Sequence, residues 1–223
     1  MTRWSYEALE QAMDGFSPSG DPADPKARKR LKLIDAATEL FVAQGYRKTS
    51  VSEVAERAGV AKGTVYLYFK TKGELLLGAI VAEKKRYLVE LRPMFEPDVQ
   101  PRERLKMWLR AALVVGQQMP LISRLMQGDM ELVSALDDLP EETLVGGRLM
   151  GIDFLSELVS EAAAPHRHTE HELRDRAQVI AGIAYLGGLV SEPKIRGEIS
   201  VQRFAEILAT MVVEGIGTEG GVK

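Results

Sequence analysis

The chain has 223 residues, 29 Lys and Arg against 32 Asp and Glu, and no cysteine. Without cysteine there are no disulfides, thiolate metal sites, iron–sulfur clusters or cysteine nucleophiles. The net charge of −3 is unevenly spread: −4 over residues 1–25, +7 over 26–72 (11 Lys and Arg, four acids) and −6 over 73–223. A basic block between acidic segments points to nucleic acid.

Tyr6, Leu9, Met13 and Phe16 recur at helical spacing, which allows a short amphipathic helix. A frayed tail is the expectation for a chain terminus. Residues 17–25 are rich in Pro, Ser and Asp and read as a linker. Leu33, Ile34, Ala37, Leu40 and Phe41 then form one apolar stripe that stops at Gly45. Two short helices follow over 51–58 and 62–69, then longer ones over 74–91 and 102–119, a short piece around 121–136, and further helices over 141–163, 169–190 and 201–214. Pro or Gly marks the junctions, and no stretch alternates as a strand would. The fold class is all-α. The expected organisation is an acidic extension and linker (1–25), a three-helix helix-turn-helix domain (26–73), and a larger helical effector-binding and dimerisation domain (74–223). The longest uninterrupted apolar run, 179–190, has 12 residues. A span needs about 20, so no membrane segment is expected. No signal peptide is evident either, and a soluble, cytoplasmic protein is expected.

Residues 49–72, TSVSEVAERAGVAKGTVYLYFKTK, carry the main signal. Ala55 lies where two short helices cross, and a larger side chain would part them. Gly59 ends the first helix, where a left-handed backbone is cheap only for glycine. Val65 points inward onto the first helix, and Val51, Val54 and Val60 complete a small core. This is a helix-turn-helix. Ser50 caps the first helix and can turn backbone N–H groups toward a phosphate. Lys62, Gly63 and Thr64 stand at the end of the second helix that enters a major groove. Lys62 suits guanine acceptors, Thr64 a base edge or thymine methyl, and Gly63 close backbone approach. Tyr66 and Tyr68 have hydroxyls for phosphate, and Lys70 and Lys72 follow. Lys26, Arg28, Lys29, Arg30 and Lys32 form a basic arm ahead of the stripe.

These residues resemble the N-terminal domain of TetR-family transcriptional regulators. The matching pieces are Ile34, Ala36, Ala37, Leu40 and Phe41; Gly45-Tyr46; Thr49-Ser50-Val51; Val54-Ala55; Ala58-Gly59-Val60; Lys62 to Phe69; Lys72; and Leu75-Leu76. The resemblance covers about 45 residues. It implies a homodimer bound to a palindromic double-stranded operator and released by a small-molecule effector. It also implies DNA contacts at Ser50, Lys62, Gly63, Thr64, Tyr66, Tyr68 and Lys72. Ala61 departs from the pattern: the family often has serine there, and the missing cap is worth about 1 kcal/mol.

The remaining chain is less constrained. Ala177, Ala181, Ala184 and Gly188 share one face of the 169–190 helix, and Val201, Phe204, Ala205, Leu208, Met211 and Val212 form a stripe on the last helix. Such faces suit a four-helix interface between two chains, with Ala177, Ala181, Gly188, Phe204 and Leu208 as candidates. Ordinary packing within one chain is the alternative. Met107, Trp108, Met126 and Phe154 are candidates for an effector pocket, with Met119, Met130 and Met150 as further adaptable apolar residues. Arg110, Gln117 and Gln118 are polar candidates. Aromatic residues are too few for a cationic cage, so an uncharged or acidic apolar effector is expected.

His166, His168 and His171 lie in a polar connection and read as solvated rather than as metal ligands. The GxGxxG string at 215–220 has no strand before it and no helix after it, and is rejected as a nucleotide site. No catalytic constellation is present, so no enzyme, cofactor or metal is expected. Two other readings stay open: a small-molecule-binding or enzymatic protein with a vestigial helix-turn-helix, and a non-specific architectural DNA binder.

Overall fold

The computed structural model describes residues 4–16, 23–114, 118–137, 139, 141–163, 168–185, 187–190 and 192–215. They form helices and connections, with no strand among them. Gln117, His166, the side chain of Met150 and the GxGxxG string after Gly215 lie outside the described residues. The helices are α1 (Tyr6–Phe16), α2 (Pro25–Gln44), α3 (Val51–Arg57), α4 (Lys62–Tyr66), α5 (Lys72–Glu90), α6 (Pro101–Val114) and α7 (Pro120–Met126). They continue with α8 (Met130–Asp137), α9 (Glu141–Ala162), α10 (Glu170–Tyr185), α11 (Gly187–Val190), α12 (Pro193–Arg196) and α13 (Val201–Gly215). A 3₁₀ turn covers Arg92–Phe95.

The chain divides into two compact units. One comprises Glu7–Leu88 and Met119–Gly147, and the other Met1–Tyr6, Val89–Gln118 and Arg148–Lys223. This grouping by contact runs across the division by role at residue 73.

In the first unit, α2 starts at Pro25, and the carboxylate of Asp24 accepts the Lys26 N–H at 2.9 Å. Proline at the first helical position and aspartate before it are a strong start signal. The basic residues 26–32 therefore ride on the first turns of a helix and do not form a separate arm. Leu33, Ile34, Ala37 and Phe41 of α2 are buried, as are Leu75, Leu76 and Ala79 of α5 and the small core of Val54, Ala55 and Val65. Gly78 lets α2 and α5 close up, since a Cβ there would stand 3.3 Å from both Ile34 and Phe69. The expected frayed tail is corrected: residues 6–16 form α1, Leu9 is buried, and Asp14 pairs with Lys85. An apolar face at helical spacing finds partners that a solvated terminus lacks. Glu83 of α5 is buried and accepts the N–H groups of Leu121 and Ile122, both at 3.2 Å, at the start of α7. Burial pushes its carboxyl above the ordinary range, and the two N–H groups pull it back.

In the second unit, Leu105, Leu109 and Leu113 of α6 are fully buried. The α13 face that packs on α6 presents Val201, Ala205, Ala209 and Val213, a stripe with four-residue spacing. Gly187 brings α11 within van der Waals reach of α6; a Cβ there would be 2.9 Å from the carbonyl oxygens of Ala112 and Leu113. Residues 170–185 and 187–190 are helical, as α10 and α11, and residue 186 between them lies outside the described residues. Arg104 holds the start of α6 by donating to the carbonyl of Met94 at 2.8 Å and to Glu161 at 3.0 Å.

Candidate nucleic-acid interface

The turn between α2 and α3 begins at Gly45, whose φ of +90° closes α2. The Thr49 hydroxyl donates to the Gly45 carbonyl at 2.8 Å, and the Thr49 N–H donates to the Tyr46 carbonyl. At Ser50 the chain is extended, and a reciprocal cap forms. The Ser50 hydroxyl oxygen accepts the Glu53 N–H at 3.2 Å, and the Glu53 carboxylate accepts the Ser50 N–H at 2.7 Å. That backbone N–H, with the Ser50 and Gln44 side chains, holds Glu53 below the usual carboxylate range.

Gly59 turns the chain at φ +69°, and the Val60 N–H returns to the Ala55 carbonyl at 2.9 Å. Ala55 and Val65 are both almost fully buried, as a tight crossing of α3 and α4 requires. Val51 and Val60 are half-buried at its rim. At Ala61, the N-cap of α4, no side-chain hydrogen bond is made. The second helix ends at Tyr66, short of the expected 69, because Leu67 faces outward while Phe69 turns into the core under the Arg30 guanidinium.

Lys62 and Gly63 are exposed, and Thr64 is half-buried. A Cβ on Gly63 would meet nothing of its own chain within 4 Å, so packing does not demand glycine there. Tyr66 and Leu67 are exposed and Tyr68 is half-buried. Ser50 is exposed as well. Lys72 is the first residue of α5, and its ammonium sits 4.1 Å from the centre of the Tyr46 ring. Burial lowers its pKa, opposed by attraction to Glu131 and Glu53.

The other candidates separate. Met107 and Trp108 are half-buried on α6 and Phe154 is buried on α9, all in the second unit, whereas Met126 on α7 belongs to the first. The Phe154 ring stacks on Phe95 at 6.3 Å and meets the edge of Trp4 at 6.3 Å, and Tyr6 lies 6.1 Å from Phe95. Nothing in the sequence marks Trp4 as a neighbour of Phe154 or Tyr6 as a neighbour of Phe95, because residue type alone carries no sign of where these rings dock. Arg110 donates to Glu206 at 2.8 Å, so its charge is already matched within the chain.

On α10, Ala177 is fully buried within its own chain and has no surface to offer a second one; Ala181 is half-buried. Gly188 lies on α11. Phe204 and Leu208 are half-buried on α13. The outward side chains of these helices are Val179, 64% exposed, Met211, 66% exposed, and Ile207. His171 pairs with Asp175 at 3.0 Å, and among the described residues no group of three or more His, Asp or Glu side chains is placed to hold a metal ion. Among them, too, no helix is long and apolar enough to cross a membrane.

Residues 33–79 match the family described as "Bacterial regulatory proteins, tetR family". The "Fatty acid metabolism regulator protein" of Bacillus subtilis is 37% identical over 98 residues, which cover 44% of this chain and 47% of that protein. The chain thus spans about half the length of curated relatives such as this one. A structure titled as AibR in complex with isovaleryl coenzyme A and operator DNA superposes with a TM-score of 0.58 at 18% identity, over 82% of this chain and 97% of that one. Another, titled as the Bacillus subtilis regulator FadR in complex with stearoyl-CoA, has a TM-score of 0.55 at 23% identity, over 86% of this chain and 99% of that one. At such identities the likeness shows a shared fold.

Proposed function

We propose that the chain is a regulator of the TetR family, whose model its residues 33–79 match, and that it is a sequence-specific transcriptional repressor, released from a palindromic operator by a small-molecule effector. The observation that carries this reading is the outer face of α4. Lys62 and Gly63 are exposed at its N-terminal end, nothing of the chain crowds Gly63, and the whole lies in the +7 segment. Lys62 and Thr64 read base edges, Gly63 admits the DNA backbone, and Ser50, Tyr66, Tyr68 and Lys72 meet phosphates. Residues 26–73 serve DNA and 74–223 serve effector and partner.

Two copies present two such helices about 34–36 Å apart, the spacing of successive major grooves. For the partner face, the outward residues Val179, Ile207 and Met211 join Phe204 and Leu208 in support of a homodimer through α10 and α13. The effector is an acyl thioester of coenzyme A. Two structural neighbours carry such a ligand and one relative regulates fatty acid metabolism. An acidic head on an apolar tail also fits the few aromatics and many aliphatic residues of the second unit, where Met107, Trp108 and Phe154 lie; Met126 is the fourth candidate.

The test is fluorescence anisotropy on duplexes drawn from the upstream region of the protein's own gene, against scrambled duplex, over a salt series. Specific binding at least about a thousandfold tighter than to scrambled DNA supports the reading. Equal binding to both duplexes favours an architectural protein, and no binding favours the vestigial domain. Addition of short- and long-chain acyl-coenzyme A then tests the effector class by release of the bound duplex.

A further inference from the structure

The turn ahead of α3 is fastened from a distant part of the first unit. On α7, Arg124 donates to the Phe41 carbonyl at the end of α2, at 3.2 Å. The same guanidinium holds Asp129 through two nitrogens, at 2.8 and 2.6 Å. The other oxygen of Asp129 accepts the N–H groups of Glu131 and Leu132, at 3.0 and 3.3 Å, and so starts α8. From α8, the Glu131 carboxylate accepts the backbone N–H of Arg47, 84 residues earlier. Tyr46, the neighbour of Arg47, lies between the Phe41 ring at 5.3 Å and the Lys72 ammonium at 4.1 Å.

Each of these contacts has one aim. Arg124 and Glu131 take the last carbonyl region of α2 and an N–H of the connecting turn, the two places where the chain changes direction before α3. A turn of this kind, between two rigid helices, sets the angle at which the second helix leaves. Small displacements there move Ser50, Lys62 and Tyr66 together, because α3 and α4 are packed on each other through Ala55 and Val65.

We infer that Glu131, seated by the Arg124–Asp129 pair, is a positioning residue for DNA binding: its carboxylate holds the Gly45–Thr49 turn through the Arg47 N–H and so fixes the placement of α3 and α4 against DNA. This inference rests on the DNA-binding reading above. It adds three residues, Arg124 of α7, Asp129 just ahead of α8 and Glu131 of α8, that lie outside the helix-turn-helix segment.

The experiment compares Glu131→Gln with Glu131→Ala in the full chain, with Lys62→Ala as reference. Both Glu131 variants lose the charge, so any general electrostatic effect on DNA is common to them. Only Gln keeps an acceptor oxygen for the Arg47 N–H. The Ala variant should bind the operator about tenfold more weakly than the Gln variant, the scale of one hydrogen bond. The two should share one salt slope, since neither loses a phosphate contact. By amide hydrogen exchange, Arg47 should stay protected in the Gln variant and exchange faster in the Ala variant.

Equal affinities for Ala and Gln, with Lys62→Ala impaired, would overturn the inference and leave the DNA-binding reading standing. Lys62→Ala binding as tightly as the unmodified protein would instead overturn the contact map on which the inference rests. Thermal melts establish that each variant is folded at the assay temperature, and a Gln variant that melts with the Ala variant yet binds tenfold tighter separates positioning from stability.

Discussion

Replacing Ala61 with serine should tighten operator binding by strengthening α4. Ala61 stands at the N-cap with φ −69° and ψ 147° and makes no side-chain hydrogen bond. This extended geometry is the one from which an N-cap serine accepts the N–H of the second or third helical residue, here Gly63, because the Thr64 N–H already donates to the Ala61 carbonyl at 2.9 Å. The helix has five residues, and the first four N–H groups of any helix lack an intrahelical partner. One further bond is therefore a large fraction of what holds it. The gain is about 1 kcal/mol, or roughly fivefold in an equilibrium constant. Affinity rises by the degree to which α4 is unformed in the free protein, up to that fivefold ceiling. Hydrogen exchange at Gly63 and Thr64 should slow by a similar factor, and the salt slope should stay the same because no phosphate contact is added. Unchanged exchange at both amides would refute the capping argument. An affinity gain above about tenfold, or a steeper salt slope, would mean that the serine touches DNA directly.

Three further outcomes are expected. Lys62→Ala should cost about 1–3 kcal/mol of discrimination at one base pair per half-site; competition with operators substituted position by position measures this, and a uniform loss at all positions would contradict a base contact. Glu206 of α13 is held below the ordinary carboxylate value of 4.5 by the Arg110 hydrogen bond, with Lys106 assisting. A depressed folded pKa means that stabilisation is present above 4.5 and lost as pH falls through the folded value. Glu206→Gln should therefore cost at most about 1 kcal/mol at pH 7, given the partial exposure of the pair, and progressively less as pH falls below 4.5; a difference in urea melts that does not shrink with falling pH would argue against it. Leu109→Ala, at a fully buried site on α6, should lower stability by about 2–5 kcal/mol, and a urea midpoint within error of the unmodified protein would show that the α6 packing is wrong.

The helix-turn-helix is legible in the sequence because its constraints are local. Ala55, Gly59 and Val65 are each dictated by neighbours within about a dozen residues, so residue type and spacing carry the geometry. The reciprocal cap of Ser50 and Glu53 rests on a spacing of serine and glutamate that is itself a signature. Leu33 to Phe41 announce the core face of α2 by the same helical periodicity, and the uneven distribution of charge marks the basic segment by composition alone.

Tertiary structure decided what local rules leave open. Periodicity says which residues share a face, and says nothing of which face goes inside. On α10 the small residues turned inward at Ala177, and on α13 Ala205 and Ala209 did the same, leaving Val179 and Met211 outside. Fraying is the expectation for the terminus because no property of residues 6–16 shows that Leu9 has a buried place to go. Glu131 and Arg124 are invisible in the sequence for a related reason. They bind backbone groups at Arg47 and Phe41, and a backbone N–H or carbonyl carries no residue identity for a sequence to display. Sequence alone thus determined an all-helical chain with a helix-turn-helix in its basic segment. Only the folded chain determined what supports that motif, because the support comes from contacts far apart in sequence whose partners have no signature of their own.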